Sequence, residues 1–395
     1  MKGIIEVKKL AYDSCVGCKV CETICPVQAI VMKRNQEGFE MPEIIQESCI
    51  DCKKCEKVCP ALNKKEIESK ELIYAARCKD KEILLNSSSG GAFSVLAQKA
   101  LEVGGVVYGV VFSSDYRTAV YARATTLREI EAMRGSKYVE ASITQNLIMQ
   151  FLEDVTSGKT ILFTGTGCQI NGLQNLCKIK KHDTKNVIWV DFYVCSGKVS
   201  SLLWQSECDR TSEKGKLEQV SFRSKKRGWQ NFGILMKINS KICYKDFLLH
   251  HWNKFLGSSN AKRKSCLKCK YSQKESNADI SIGDFWESAV LPKEWNDNLG
   301  VSVVSVNTDK GIGFFDGLKE IEYKQVKISR HNPKEKTVDL IERDKFWKIY
   351  HNEGYNKLCE KYAKIGWKDK ILFGVIRPIL IKTKLLSVIK KRKKC

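Results

Sequence analysis

Two short runs of cysteine near the amino terminus share one spacing. Each run is C-x2-C-x2-C-x3-C followed by proline, and the cysteines are Cys15, Cys18, Cys21 and Cys25, then Cys49, Cys52, Cys55 and Cys59. In this spacing three thiolates wrap around one 4Fe-4S cluster, while the fourth, next to the proline, reaches the other cluster. The sequence therefore predicts two clusters, one held by Cys15, Cys18, Cys21 and Cys59, and the other by Cys49, Cys52, Cys55 and Cys25.

A zinc site and a disulfide framework are the alternatives for cysteines at this density. Zinc requires only four ligands in CxxC pairs, and neither alternative explains two identical runs that both end in proline. The segment MKGIIEVKKL lacks the apolar region and cleavage site of a signal peptide. Because iron-binding thiolates need a reducing compartment, we expect a cytoplasmic protein. No apolar run reaches the ~18 residues needed to span a bilayer.

The chain is strongly basic, with 68 Lys and Arg against 45 Asp and Glu and a net charge of +23. Such an excess favours polyanionic partners: nucleic acid, an anionic membrane face, or phosphate-bearing cofactors and substrates. The basic, aromatic run from Arg223 to Trp229 is typical of a phosphate site, of a nucleic-acid surface or of a solvated hairpin. We expect no nucleic-acid partner. Such a partner would require, as a minimum, salt-sensitive binding of the chain to duplex nucleic acid.

The length of 395 residues predicts two or three domains. We expect the fold class α+β, with a bacterial ferredoxin-like domain over 1–62 and a polar linker over 63–70. One α/β domain would follow in two parts, 71–150 and 151–330, and a helical basic tail over 331–395. Within the first domain, 29–33 and 39–42 predict strands around a turn at 35–38.

A Ser/Gly loop at 86–91 precedes a predicted amphipathic helix. Backbone amides at a helix N-terminus form an anion site, whereas the alternative is an ordinary N-cap with glycines in the turn. After a predicted strand at 106–112, Lys137 and Tyr138 follow a small-residue turn, as at the edge of a substrate or cofactor site.

Four further cysteines lie in suggestive places. Cys168 and Cys195 each follow an apolar predicted strand in a small-residue turn, and ligands of α/β folds bind at the carboxyl ends of strands. Cys266 and Cys269 form a single CxxC, which is redox-active, half of a metal site or without function. From the residues alone these alternatives stay open.

Several short motifs occur together in one order: the double cysteine run, 88–91, 135–138, 165–169, Cys195, 222–225 with Trp229, the CxxC at Cys266, and 279–286. In that order they resemble the coenzyme F420 hydrogenase/dehydrogenase beta subunit family, fused to an N-terminal ferredoxin domain, over residues 10–310. The resemblance implies an α/β flavin-binding domain, FAD and iron–sulfur clusters. It also implies electron exchange between a two-electron carrier and the clusters.

The resemblance also assigns roles to residues. The residues that would contact FAD are Ser88, Ser89, Gly90, Gly91, Lys137, Tyr138, Thr166, Gln169, Arg223, Lys225 and Asp284. A third 4Fe-4S cluster would be held by Cys168, Cys195, Cys266 and Cys269, four cysteines being the correct ligand number. Buried structural thiols are the interpretation for Cys78, Cys177, Cys208, Cys243 and Cys359.

Two departures from the family pattern concern these turns. Gly167 stands where the family usually has proline, and Ser196 stands where it usually has histidine. The serine removes a proton donor or hydrogen-bond partner expected near the flavin, which puts the substrate chemistry of the family in doubt.

The C-terminal segment 371–389 alternates apolar and basic residues at helical spacing and leads into a basic end. Arg377, Lys382 and Lys384 argue against a spanning helix. The alternatives are a helix lying on an anionic membrane surface at the cytoplasmic face and a helix packed on the protein with a frayed basic tail.

The leading hypothesis is a flavin–iron–sulfur oxidoreductase that exchanges a hydride with coenzyme F420 or another small substrate. The competing hypothesis is a non-catalytic electron-transfer subunit that feeds a partner enzyme in a pathway such as surface-polysaccharide metabolism. Both require a redox partner protein or a small-molecule electron carrier.

Overall fold

The computed structural model describes residues 12–64, 70–271, 276–287, 290–328 and 339–383. Residues 65–69 of the expected linker and residues 331–338 and 384–395 of the expected tail lie outside these ranges. The strands are β1 (Ile30–Arg34), β2 (Glu40–Ile44), β3 (Leu72–Cys78), β4 (Val106–Phe112), β5 (Ala119–Ala124), β6 (Ala141–Ser142), β7 (Ile161–Thr164), β8 (Val187–Phe192), β9 (Leu217–Ser224), β10 (Gly233–Ile238), β11 (Lys241–Asp246), β12 (Ile280–Asp284), β13 (Ser302–Val306) and β14 (Ile321–Gln325). The α-helices are α1 (Val20–Ile24), α2 (Lys54–Val58), α3 (Lys81–Asn86), α4 (Ala92–Glu102), α5 (Leu127–Met133), α6 (Gln145–Thr156), α7 (Gly167–Ile179), α8 (Ser201–Ser212), α9 (His251–Gly257), α10 (Asp309–Phe315), α11 (Leu340–Tyr362), α12 (Trp367–Ile371) and α13 (Arg377–Lys382).

A nine-stranded mixed sheet organises the larger part of the molecule, in the order β14-β3-β13-β12-β8-β7-β4-β5-β6. Its centre, β12-β8-β7-β4, is parallel, and antiparallel strands extend it on both sides. Alternate residues of β7 enter opposite cores: Phe163 packs with α6 and α7, and Leu162 packs with α4 and α5. Because neighbouring parallel strands end at the same edge, the residues that follow β7 and β8 lie side by side.

Two small antiparallel sheets complete the fold, β1-β2 and β11-β10-β9. The expected α+β class is confirmed. The turn predicted between the first two strands is also confirmed, since Asn35 Oδ1 accepts hydrogen bonds from the amides of Glu37 and Phe39. Helix α6 begins at Gln145 because the Thr144 side chain caps it by accepting from the amide of Leu147.

The cysteine-rich module shares its hydrophobic core with the large sheet. Val20 of α1 and Val58 of α2 belong to the same buried cluster as Phe151, Phe163 and Trp189. The β1-β2 turn packs closely on α8, since a Cβ at Gly38, whose φ is +83°, would lie 2.5 Å from Leu202 Cβ. The module is therefore packed into the protein rather than held only by the segment that follows it.

A third core lies between α8, α9, α11 and the three-stranded sheet, around Trp204, Trp252 and Phe346. Helix α11 is interrupted at Gly354, where φ is +87°. The Arg343 guanidinium donates to both carboxylate oxygens of Glu37, at 2.6 and 2.5 Å, and so ties α11 to the β1-β2 turn.

Candidate functional site

The first predicted cysteine set lies inside the protein. We call these four buried thiols the inner thiol set: Cys15, Cys18, Cys21 and Cys59. Burial, and then the thiolates of Cys18, Cys15 and Cys59, raises the pKa of Cys21 well above its ordinary value, as expected for thiols that lie close together. Burial is also the main cause that raises the pKa of Cys59 to about 11. Crowded thiolates repel one another, and iron supplies the positive charge that such a donor set needs.

The second predicted set lies at the surface. Its members line one cavity of about 180 Å³, and we call them the outer thiol set: Cys25, Cys49, Cys52 and Cys55. Cys49 and Cys52 are exposed to solvent, and the neighbouring Ile50 is 62% exposed. The structure thus assembles both sets in the crossed pattern that the spacing predicts, with the outer one open to an external molecule.

Two lysines shape these cysteine runs. Lys19 and Lys53 each follow the second cysteine of their run and adopt left-handed backbone, with φ of 61° and 57°. This conformation is uncommon for residues with a Cβ. It precedes α1 and α2 directly, so that Cys21 and Cys55 enter the first turn of a helix and face the other cysteines of the run.

A third set of four cysteines comes together at the edge of the large sheet. Cys168 lies in the first turn of α7, and Cys195 follows β8. Burial, followed by the thiolates of Cys266, Cys168 and Cys269, raises the pKa of Cys195 to about 12. The third thiol set is Cys168, Cys195, Cys266 and Cys269. Its four sulfur donors fit a 4Fe-4S cluster in number and type.

A glycine allows the third thiol set to close. Gly197 has φ of +93°, and a Cβ at this position would lie 3.2 Å from Cys266 Cβ. Gly167, at the position of the expected proline, is similarly enclosed, since its Cβ would lie 3.1 Å from Asn277 Oδ1. Glycine at these two turns therefore follows from close packing around the cysteines.

Two buried cations lie between the inner and third thiol sets. Lys198 Nζ donates to the carbonyl of Val16, at 2.6 Å, and the backbone amide of Lys198 lies 3.4 Å from Cys266 Sγ. Burial alone would lower the pKa of Lys198, but the thiolates of Cys168 and Cys266 and the Glu140 carboxylate raise it. Lys198 therefore contacts the loop of one set and the ligand loop of the other.

The second cation, Arg263, makes an extensive set of contacts. Its Nε donates to Glu140 Oε1 at 2.7 Å, and its terminal nitrogens donate to the carbonyls of Cys15 and Glu40 at 3.1 and 2.8 Å. It fills the space over Gly17, where a Cβ would lie 2.7 Å from the guanidinium. These residues carry no motif, and sequence reasoning missed both cations and Glu140.

Helix α7 joins the same two sets. Cys168 lies at its start, and a Cβ on Gly172, one turn later, would lie 3.1 Å from Cys18 Sγ. One turn rises about 5.4 Å, so the two sets are near neighbours. Tyr271 Oη lies 2.7 Å from Pro60 O, next to Cys59. Burial, and then the thiolates of Cys168, Cys18, Cys59 and Cys269, raises the pKa of Tyr271, so this residue also lies between the sets.

Nine of the eleven residues expected to contact FAD form one group: Ser88, Ser89, Gly90, Gly91, Lys137, Tyr138, Arg223, Lys225 and Asp284. Arg223 is at its centre and donates to both carboxylate oxygens of Asp284 at 2.7 Å. It also donates to Tyr138 Oη at 3.0 Å and to the Ser88 carbonyl at 3.1 Å. Arg223 Nε has no hydrogen-bond partner among the described residues.

The two lysines of this group are bound to backbone carbonyls. Lys225 Nζ contacts three carbonyls at 2.5–2.6 Å, and Lys137 Nζ contacts three at 3.0–3.2 Å. Burial lowers the pKa of each lysine to about 7. The group holds three basic side chains and one carboxylate, Asp284, so it fits an anionic ligand, whose charge favours the protonated lysines. Both lysines would have to exchange carbonyls for phosphate oxygens.

The two glycines of the Ser/Gly loop have packing roles. A Cβ at Gly90 would lie 2.4 Å from Ala76 O, and Gly91, with φ of +85°, is the N-cap of α4 without a side-chain cap. Ser88 Oγ accepts from the amide of Ser136 at 2.8 Å. Close packing therefore accounts for Gly90 and the ordinary cap for Gly91, and the loop docks on the turn that precedes Lys137.

The remaining two expected FAD contacts lie beside the third thiol set instead. Thr166 Oγ1 is 3.2 Å from Cys168 Sγ and 2.7 Å from Gln169 Oε1. Gln169 Oε1 also accepts from Tyr121 Oη at 2.8 Å. These residues are held around Cys168, so a flavin that touched both groups would extend from Arg223 towards the third thiol set.

A pair of tryptophans completes the Arg223 group. The rings of Trp229 and Trp286 stack with centroids 4.4 Å apart and planes 4° from parallel. Trp229 Nε1 donates to Asp284 Oδ1 at 2.9 Å. The basic run is therefore not a solvated hairpin, because Arg223 and Trp229 are buried. In the sequence, the only sign of this stack was a tryptophan in the basic run, Trp229, and another shortly after Asp284, Trp286.

Most of the described cysteines outside the three sets are buried or partly buried, as the structural interpretation predicts. Cys78, Cys177 and Cys208 are buried and Cys359 is partly buried. The interpretation is wrong for Cys243, which is exposed. It lies on β11, the outer strand of its sheet, whose first three residues all face solvent.

Glu207, His250 and His251 bring three side chains that can bind metals close together. The carboxylate is already occupied, because Arg210 donates to both of its oxygens and His251 Nε2 lies 2.8 Å away. Tyr355 Oη also contacts it, at 3.2 Å. These contacts fit a buried ion-pair network that joins α8 to α9 and α11.

The C-terminal helices expose an apolar row. On α12, α13 and the π-helical turn between them, the exposed side chains are Trp367, Ile371, Leu372, Val375, Ile376 and Ile379. No helix in the described parts of the chain is long and apolar enough to cross a membrane.

Comparisons with known proteins agree with this layout. Two family models, described as coenzyme F420 hydrogenase/dehydrogenase beta subunit N-term and C terminus, match residues 73–148 and 158–330, together more than half of the chain. A 4Fe-4S dicluster domain model matches residues 14–63. A chain of the F420-reducing [NiFe] hydrogenase complex from Methanosarcina barkeri is similar at 17% identity and a TM-score of 0.47, over 76% of this chain and 95% of that one. No curated protein matches.

Proposed function

The chain belongs to the coenzyme F420 hydrogenase/dehydrogenase beta subunit family, and on this basis we propose that it is an iron–sulfur flavoprotein oxidoreductase. Electrons would pass between 4Fe-4S clusters and FAD, and a hydride would be exchanged with coenzyme F420 or another small substrate. When bound, the clusters carry single electrons and the flavin converts between one-electron and two-electron chemistry.

The observation that carries this proposal is the arrangement of the three thiol sets. The outer set is open to solvent, the inner set is buried, and Gly172 brings α7, which begins with Cys168, against Cys18. A continuous row of cysteine sets from the surface to the edge of the large sheet supports electron transfer rather than a structural role for the metal.

The proposed flavin site lies beyond the third thiol set. Its support is the excess of basic side chains around Arg223, the Arg223 Nε without a partner among the described residues and the stacked rings of Trp229 and Trp286. In this proposal Arg223 and the lysines bind the negatively charged part of FAD, while Thr166 and Gln169 border the end nearest Cys168. The proximity of Thr166 to Cys168 Sγ, at 3.2 Å, supports a short path between the two cofactors.

Anaerobic purification, followed by iron, sulfide and flavin counts, tests the proposal. We expect about twelve irons and one FAD per chain, four irons for each cluster, and bleaching of the flavin by reduced coenzyme F420. Cys195→Ser should lower the count to about eight, whereas Cys177→Ser, a buried cysteine outside the sets, should leave it at about twelve. About eight irons without flavin in the unaltered protein would contradict the proposal and favour the electron-transfer subunit.

We also propose that the C-terminal helices contact an anionic membrane surface. The exposed apolar row of α12 and α13 supports this, because an amphipathic helix buries such a row at the lipid interface while basic residues attract anionic headgroups. The full chain should float with vesicles that contain phosphatidylglycerol and not with neutral vesicles. Ile371→Ser combined with Val375→Ser should abolish flotation; unchanged flotation would contradict the proposal.

A further inference from the structure

Lys198 and Arg263 occupy the layer between the inner and third thiol sets. Both are buried, with 6% and 2% of their surfaces exposed. Each reaches both sides of the layer. Lys198 Nζ donates to the Val16 carbonyl, and the Lys198 amide contacts Cys266 Sγ. Arg263 donates to the Cys15 carbonyl and lies three residues before Cys266 in the chain.

The charges of this layer do not cancel. Arg263 has a close counter-ion, Glu140, at 2.7 Å. Among the described residues, no carboxylate lies within ion-pair distance of Lys198. Its ammonium donates to the Val16 carbonyl and lies near the thiols of Cys168 and Cys266, with the Glu140 carboxylate at longer range. The three side chains together leave one positive charge between the sets, in a place where solvent screens it little.

We propose that Lys198, balanced by the Arg263–Glu140 pair, sets the reduction potentials of the inner and third clusters together. This inference rests on the proposed function, since it takes the third thiol set to hold a cluster. Reduction adds one negative charge to a cluster, and the potential of such a centre depends on nearby charge, hydrogen bonds and solvent exposure. A buried positive charge shared by two centres favours reduction of both and therefore raises both potentials.

The outer thiol set supplies an internal reference. Its cysteines line a cavity that contains neither Lys198 nor Arg263, and water screens charges there. Changes at Lys198 should therefore affect two potentials and leave the third one unchanged. A residue with only a structural role would not produce that pattern.

Anaerobic redox titrations of the full chain, followed by electron paramagnetic resonance, test the inference. Lys198→Gln removes the charge and keeps a hydrogen-bond donor, so it should lower the midpoint potentials of the inner and third clusters and leave the outer one unchanged. Lys198→Arg keeps the charge and should retain the original values. Lys268→Gln, at an exposed position beside Cys269, is the matched control and should change none of them.

A second variant should shift the midpoint potentials in the opposite direction. Glu140→Gln removes the negative charge of the layer while keeping an acceptor for Arg263, so it should raise the same two potentials. If Lys198→Gln loses iron, this variant decides the question. Unchanged potentials in Glu140→Gln, with about twelve irons present, would overturn the inference and leave the proposed function intact. About eight irons in the unaltered protein would instead refute the third cluster itself.

Discussion

Asp284 is the only carboxylate that faces Arg223 among the described residues. Arg223 is almost fully buried and its guanidinium depends on this partner, with further support from Tyr138 and the Ser88 carbonyl. Removal of one member of a buried ion pair leaves an uncompensated charge, which costs far more than the pair contributes. At the scale of single residues, the stability of the site is therefore most sensitive to substitutions in such buried pairs.

Asp284→Asn should therefore destabilise the protein by about 3 kcal/mol. The matched control is Asp297→Asn, whose partner Arg77 forms a more exposed pair and whose loss should cost about 1 kcal/mol or less. Urea unfolding followed by far-UV circular dichroism measures both. Equal losses in the two variants would contradict the central role of Asp284.

The Glu207 network gives a pH dependence. Burial alone would raise the pKa of Glu207. Hydrogen bonds from His251 and Arg210, and their charges, outweigh burial and lower this pKa from 4.5 to about 2. Because the pKa is lower in the folded state, this contribution is present above about pH 4.5 and is lost as the pH falls towards 2.

Glu207→Gln should thus unfold at lower urea than the unaltered protein at pH 7, and the difference should shrink between about pH 4.5 and 2. Glu360→Gln, in an exposed pair with Lys357, should show little difference at any pH. A gap for Glu207→Gln that stays constant down to pH 2.5 would rule out this explanation.

At the scale of elements, α7 connects the sheet to the cysteine-rich module. Its start carries Cys168, Gly172 faces Cys18, and Asn175 Nδ2 donates to the carbonyls of Val58 and Asn63 at 3.3 and 2.9 Å. One face of this helix therefore positions two thiol sets. Helix propensity would favour alanine over glycine by about 1 kcal/mol, so the glycine at 172 reflects the approach of Cys18.

Gly172→Ala tests this packing. Its Cβ would lie 3.1 Å from Cys18 Sγ, and a cysteine held by a cluster cannot move away freely, so we expect faster loss of iron to a chelator. Gly313→Ala, in α10, meets nothing within 4 Å and should keep its iron and gain up to about 1 kcal/mol of stability. Equal iron release from both variants would contradict the proposed contact.

At the scale of the whole molecule, the cysteine-rich module and the large sheet form one packed body. Val20 and Val58 belong to the core under β7, and three buried or partly buried cations of the large domain bind the module: Lys198, Arg263 and Arg343. Buried cations without their partners are costly, so the larger part depends on the module.

Deletion of residues 1–64 should therefore yield aggregated or partly unfolded protein, even though 70–383 contains a complete sheet. Size-exclusion chromatography and circular dichroism measure this outcome. Truncation after residue 366, which removes the exposed α12 and α13, is the control and should remain folded. A monomeric, cooperatively folding 65–395 fragment would show that the two parts are independent.

Among the local patterns of the sequence, the cysteine spacing by itself predicted the crossed inner and outer thiol sets. They also predicted the β1-β2 turn, the strand at 106–112 and an apolar strand before Cys195. Spacing has this power because a cluster loop and a tight turn are made within a few residues. The third thiol set and the Arg223 group were predicted from the family motifs. Their members lie too far apart in the sequence for local spacing to connect them.

Only the tertiary structure decided what lies between these parts. Lys198, Glu140, Arg263 and Tyr271 belong to no motif, and their roles come from contacts with the cysteine-rich module more than a hundred residues away. The exposure of Cys243 and the burial of Arg223 were likewise decided by packing. Burial and the charges of distant neighbours are properties of the folded chain, because they depend on which surfaces the fold brings together.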